Sequence, residues 1–209
     1  MSWLRGSESR FATAVVRSVH NSRLADLVGR TLGDIGEERG TTATEAMIDI
    51  GLADDLDTEF KNFGASQADA AVVGELLCHP DQLIGGSDGG AHVRTFSTYG
   101  DTGYLFSKFV RDTKVLSTAE AVRRLTLEQA RALGLADRGA IAPRYAADLV
   151  IFDPATIDRG EEQRASDLPG GGFRYTRAQV GVHTVIVNGQ IGWTAAAGYT
   201  GATSGTVTH

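Results

Sequence analysis

The chain has one cysteine, Cys78, four prolines, and only two methionines and two tryptophans among its 209 residues. A single cysteine excludes an internal disulfide framework and fits a reducing compartment, so a cytoplasmic location is expected. No apolar run reaches the roughly 18 residues that a membrane span requires, and Met1-Ser2-Trp3-Leu4-Arg5 lacks the apolar core of a secretory signal. Lysine and arginine are nowhere concentrated, and the formal net charge is −6. A nucleic-acid partner is therefore not expected. The five histidines, His20, His79, His92, His183 and His209, are never two apart, so no His-X-His metal pair exists.

Glycine, by contrast, is abundant, with 26 residues at no fixed period, which excludes collagen-like and solenoid folds. Hydrophobic residues make up 42% of the chain, normal for a globular protein. The first half reads as helices. Thr42-Ala43-Thr44-Glu45 is a capping box and predicts a helix to about Leu52. Ser66-Gln67-Ala68-Asp69 resembles the same signal and opens a helix bearing Val72, Val73, Leu76 and Leu77, which Pro80 ends. Asp54, Asp55, Asp57 and Glu59 read as a solvated helix end.

Leu83-Ile84-Gly85-Gly86-Ser87-Asp88 reads as a short buried strand entering a turn, followed by a Gly/Ser/Thr-rich loop and a helix over Tyr104 to Val110. Ser117-Thr118-Ala119-Glu120 and Thr126-Leu127-Glu128-Gln129 are two capping boxes. They predict a helix that breaks at Thr126 and stops at Gly134. Beyond Gly139 the pattern changes to strands. Asp148 to Phe152 is one, and Val182 to Val187 is another, returning through the hairpin signal Asn188-Gly189 into Gln190 to Trp193. The polar stretch 158–179 reads as a long loop, a lid or a disordered segment. The tail from Ala195 is expected to be mobile.

Three stretches in series carry a resemblance. They are Ile84 to His92; Leu116 to Thr126 with Ala130 and Leu133-Gly134-Leu135; and Asp137 to Pro143 with Ala147 to Asp153 and Val187-Asn188-Gly189. Together they resemble the amidohydrolase superfamily, in particular its N-acyl-D-amino-acid deacylase (D-aminoacylase) branch. The branch assignment rests on the Gly-Ser-Asp-Gly turn and Asp167 to Gly171. The resemblance implies an α/β fold, the C-terminal portion of a TIM-like (β/α)8 barrel followed by strands of a small β-sandwich. Residues 1–138 would be the last β/α units of an incomplete barrel, and residues 139–209 a small β domain with the loop and tail just described.

It also implies a metal-dependent hydrolase of linear amide bonds acting on N-acyl amino acids. Asp88 stands where the family places its catalytic aspartate, at the end of the eighth strand, as general base and acid and as a candidate metal ligand. His92 and Arg94 are candidate substrate-binding residues, the guanidinium matching a substrate carboxylate. Zinc or another divalent metal is implied for the complete enzyme. Its remaining ligands are absent from this chain, so the chain reads as a truncated part of a longer enzyme. An N-terminal half or a homo-oligomer would then be its partner.

Two other readings compete. Gly85-Gly86-Ser87-Asp88-Gly89 fits Gly-X-Ser-X-Gly, the nucleophile elbow of serine hydrolases, with Ser87, Asp153 and His183 available in that chain order. Alternatively the chain is a non-catalytic binding or oligomerisation module. Taken alone, Ser87 to Gly90 reads as a plain turn, and the surrounding match reverses that; a structural His79 and a buried small Cys78 are the simplest assignments for those two.

Overall fold

The computed structural model describes residues 11–62, 69–85 and 99–207. They belong to two compact units, residues 1–69 and 70–209.

In the first unit, Val15–Ser18 (β1) pairs antiparallel with Glu59–Lys61 (β2), in the register Val15 to Lys61 and Val16 to Phe60. A 3-10 turn, Ser22–Leu27, and two helices, Leu32–Arg39 (α1) and Ala43–Ala53 (α2), lie between them in the chain. The capping box at α2 is present. The Thr42 hydroxyl accepts from the Glu45 N–H at 3.2 Å, and the Glu45 carboxylate accepts from the Thr42 N–H at 2.8 Å. Thr31 caps α1 in the same way, accepting from the Asp34 N–H. Val16, Leu32, Ile35, Ala46 and Ile50 form the centre of this unit's core.

The strands β1 and β2 depart from the expected run of helices. Val15 and Val16 are β-branched, but the run is too short to announce itself without its distant partner. The acidic run also departs from expectation. Asp55 and Asp57 are exposed, whereas Asp54 is buried. Its carboxylate accepts from the backbone N–H groups of His20 and Asn21 and from the Thr58 hydroxyl. It ties the chain after β1 to the end of α2, and these donors hold its pKa below the ordinary carboxylate value.

The second unit opens with Ala70–Cys78 (α3), whose Val73 and Leu77 pack onto the core while Val72 and Leu76 are exposed. The start signal proposed for it, Ser66 to Ala68, lies outside the described residues. Asp101–Tyr104 (α4) runs directly into a π-helical stretch, Leu105–Asp112, which the Thr113 N–H closes on the Lys108 carbonyl. Thr118–Leu125 (α5) and Leu127–Ala132 (α6) follow, with the break at Thr126 as expected.

The two boxes there are incomplete. Ser117 accepts from the Glu120 N–H, but the Glu120 carboxylate turns to Arg123 instead. Thr126 makes no cap at all: its hydroxyl donates back to the Val122 carbonyl. The expected stop is a Schellman end. Leu135 N–H bonds the Ala130 carbonyl and Gly134 N–H the Arg131 carbonyl, with Gly134 at φ 74°.

The strands Leu149–Phe152 (β3), Val182–Val187 (β6), Gln190–Thr194 (β7) and Gly198–Tyr199 (β8) form one antiparallel sheet in the order β3-β6-β7-β8. Asn188 and Gly189, at φ 47° and 78°, make the tight hairpin between β6 and β7. The expected mobile tail contributes β8, which pairs Tyr199 with Trp193.

The expected long loop is instead an antiparallel arm, Asp158–Ala165 (β4) against Arg174–Val180 (β5), with a short turn at Pro169–Gly171. Its strands are rich in charge and poor in β-formers, so pattern alone misread them. They are held by pairing, by buried Tyr175, and by the Arg164 guanidinium lying 3.8 Å over the Phe173 ring. Leu105, Phe106, Phe109, Leu116, Ala121 and Ile157 form the unit's core, against which Phe152 and Val182 pack. All strand pairings among the described residues are antiparallel.

Candidate active site

Asp88, His92 and Arg94 lie outside the described residues, as does Ser87. What is described is the frame on either side of them.

On the entry side, Leu83 to Gly85 are not in a strand, contrary to expectation, and Leu83 is exposed; the rest of the expected element, Gly86 to Asp88, lies outside the described residues. Side chains do what a neighbouring strand would have done. Arg124 Nη2 donates to the carbonyls of His79 (2.9 Å) and Gln82 (2.5 Å), and Gln129 Nε2 donates to the carbonyl of Ile84 (2.9 Å). Arg124 is 2% exposed, the largest fully buried side chain among the described residues. Sequence reading missed it: in a helical pattern a second consecutive arginine reads as solvent-facing.

On the exit side, α4 is pressed against the start of β4. A Cβ at Gly103 would stand 2.6 Å from the Asp158 carbonyl oxygen, so only glycine fits this approach. The Arg159 guanidinium lies 3.8 Å over the Tyr104 ring, and Ser107 donates to Asp158 at 2.6 Å. Arg111 reaches the Ile157 carbonyl at 3.0 Å. Asp101, in the first turn of α4, has its pKa raised by burial, against the opposing pull of Arg159 and Arg177.

The other singled-out residues stand apart from this frame. Cys78 is exposed, not buried, with its thiol 3.8 Å from the Val115 carbonyl. His79 is exposed and accepts from the Asp81 N–H through Nδ1. His183 is exposed on β6. The Asp153 carboxylate is occupied by its own turn, accepting from the Ala155 N–H and the Thr156 hydroxyl, which lowers its pKa. The serine-hydrolase reading turns on Ser87, which lies outside the described residues. Among the described residues no three His, Cys, Asp or Glu side chains are grouped to hold a metal ion. The described part of the chain does not by itself fit a metal centre.

Comparison with known proteins bears on the frame as a whole. N-acyl-D-aspartate deacylase of Alcaligenes xylosoxydans xylosoxydans is 29% identical over 192 residues, covering 87% of this chain and 36% of that protein. The D-aminoacylase of the same organism is 30% identical over 189 residues, covering 87% and 34%. The chain thus spans about a third of the length of the curated relatives it matches.

Among solved structures, a D-aminoacylase with a binuclear metal centre superposes with a TM-score of 0.54 at 25% identity, over 94% of this chain and 38% of that one. N-acyl-D-glutamate deacylase from Bordetella bronchiseptica, complexed with zinc and a phosphonate mimic of the tetrahedral intermediate, gives 0.52 at 26%, over 89% and 35%. The described fold is α/β and resembles these amidohydrolases. Residues 13–192 match the amidohydrolase family, and the chain belongs to it.

Proposed function

We propose that this chain forms the C-terminal part of a metal-dependent hydrolase of linear amide bonds, with N-acyl D-amino acids as its substrates. The observation that carries the proposal is the family match over residues 13–192, together with relatives that are D-amino-acid deacylases. In this reading residues 1–138 supply the last β/α units of a barrel and residues 139–209 a small β domain. The metal is held by ligands outside the described residues, with Asp88 a candidate among them. The partner is an N-terminal half or a second copy of the chain. A cytoplasmic setting rests on the single cysteine; no described helix is long and apolar enough to cross a membrane.

The residue-level chemistry falls to Asp88. Amide cleavage needs a group that takes a proton from the attacking water and returns one to the departing nitrogen, since an amine leaves poorly unless protonated. One carboxylate performs both steps in turn. Arg94 would pair with the substrate carboxylate, and His92 would line the same pocket.

The test joins this chain to the upstream segments that its longer relatives carry and measures hydrolysis of N-acetyl-D- and N-acetyl-L-amino acids. Asp88→Asn is expected to lower turnover about 10²- to 10⁴-fold, the usual cost of a lost general base. Arg94→Ala is expected to act mainly on KM, because its contact exists in the ground state too. Near-full turnover in Asp88→Asn would overturn the catalytic assignment. An unchanged KM in Arg94→Ala would remove the carboxylate role alone.

A further inference from the structure

Helix α2 has two apolar faces, and the core of its own unit takes only one. Ala43, Ala46 and Ile50 are buried in that core, and Met47 packs against it. Ile48 and Leu52, one turn apart, are 50% and 63% exposed. Leu56, just past the helix, is 76% exposed. Its N–H donates to the Gly51 carbonyl at 2.7 Å, and its side chain lies over Gly51, where a Cβ would stand 3.8 Å from Leu56 Cδ2. Gly51 is three residues after Ile48 and on the same side of the helix, so Ile48, Leu52 and Leu56 belong to one strip.

Two features set this strip apart from leucines scattered singly on a surface. Asp55 and Leu56 are consecutive non-glycine residues in the left-handed region, at φ 53° and 65°. A bulky side chain rarely takes that conformation, and here the strain brings Leu56 no burial. The second feature is charge. Exposed Glu45 and Asp49 run along one side of the strip, and exposed Asp55 and Asp57 follow its end. No lysine or arginine occurs from Gly40 to Phe60, and Asp49, Asp55 and Asp57 make no ion pair among the described residues.

An apolar strip edged with unpaired carboxylates fits a partner with the opposite edge. Anionic lipid and nucleic acid are repelled by it. A second copy of the chain does not match, because no described helix sets exposed apolar residues at this spacing beside lysine or arginine. We infer that Ile48, Leu52 and Leu56 form a docking surface for a basic amphipathic helix of another protein, one carrying large apolar residues at i and i+4 beside lysines or arginines. Burial of the apolar side chains supplies the affinity, and the carboxylates select the partner. The surface lies in the first unit, and the inference goes beyond the deacylase reading without depending on it.

The test uses the 209-residue chain and two synthetic helical peptides that share one leucine pattern. One carries lysine at its polar positions and the other glutamate. The lysine peptide is expected to bind at least about tenfold more tightly, and less so as salt rises. Its binding should protect residues 43–57 in amide hydrogen exchange. Ile48→Ser and Leu52→Ser should each weaken it about tenfold, the usual loss at a central interface residue. Leu76→Ser, at an exposed position on α3 in the second unit, should leave it unchanged. Equal affinity for the two peptides, or binding insensitive to Ile48→Ser and Leu52→Ser, overturns the inference. Self-association of the chain that Leu52→Ser abolishes assigns the strip to a second copy and overturns it too, as does Leu52-dependent binding to phosphatidylcholine vesicles.

Leu56→Gly separates docking from a role in the fold. Glycine is at ease at φ 65°, so the thermal midpoint should hold or rise. Binding of the lysine peptide should nevertheless fall about tenfold. A marked drop in the midpoint, or an unchanged affinity, would show that Leu56 is no part of the docking surface and overturn the inference as stated.

Discussion

The β6–β7 hairpin and the segment His79 to Gly85 both hold their backbone polar groups in place, by opposite means. The hairpin is local. Its two strands are joined by Asn188-Gly189, and their ladder runs from Thr184–Thr194 to Val187–Gln190, while the other edge of β6 pairs with β3. The segment is held from far away, by Arg124 and Gln129. A ladder shares its load over many equivalent bonds. A clamp concentrates it on two side chains. The first arrangement tolerates exposure and small changes. The second is easily broken.

The largest effect expected from this contrast is at the clamp. Arg124→Met keeps the length and burial of the side chain but leaves the His79 and Gln82 carbonyls without their donor and removes one of the two guanidinium groups paired with Glu128. The loss should be about 2–4 kcal/mol of unfolding free energy, the cost of buried polar groups left unmatched. It should appear as a lower urea midpoint. A loss below about 1 kcal/mol would show that water replaces the guanidinium easily and that the clamp is weak.

A smaller effect is expected at the hairpin. Gly189 sits at φ 78°, and a β-branched side chain there is strained by about 1–3 kcal/mol. Gly189→Val should therefore raise exchange in β6 and β7 while leaving segment 79–85 as it is. If the two regions loosen together in either variant, they form one cooperative element, and the contrast drawn between them fails.

The same division between local and distant interactions explains what could be read from sequence. The capping box at Thr42, the break at Thr126, the Gly134 stop, β3 and the Asn188-Gly189 hairpin are all written within a few residues of chain. The arm of β4 and β5, the burial of Asp54 and the clamp at Arg124 are not. The arm closes across the intervening turn, the other two depend on partners tens of residues away, and each uses charged residues that pattern reading assigns to solvent. Asp54 reads as one of four acidic residues at a helix end, yet its carboxylate meets donors 33 and 34 residues upstream. The strand expected at Leu83 failed for a related reason. Its apolar residues are real, but the carbonyls found side chains instead of a neighbouring strand. For the candidate site, the sequence singled out Asp88 through the family resemblance, while the contacts of Arg124 and Gln129 with segment 79–85 carry no motif.

The smallest expected effect separates two carboxylates, one in each unit, by the sign of their response to pH. Asp54 has a folded pKa below its ordinary value of 3.8, chiefly through the Thr58 hydroxyl and the His20 and Asn21 N–H groups. The unfolded chain then binds the proton more readily. The stability it contributes is full above 3.8 and is lost as pH falls through the lower folded value. Asp101 is shifted upward by burial, so its folded form binds the proton more readily. Its favourable share is full below 3.8 and is lost as pH rises through the raised value. Asp54→Asn should therefore destabilise at pH 7, and by less as pH falls below 3.8. Asp101→Asn should be neutral near pH 3 and slightly stabilising at pH 7, because Arg159 and Arg177 offset part of the burial cost. Hydrogen exchange in α2 and in Leu105–Asp112, followed from pH 7 to 3, reads the two units separately. Destabilisation by Asp101→Asn at pH 7 would mean that the two arginines outweigh burial. The start of α4 would then be held by an ion cluster with β4 and β5.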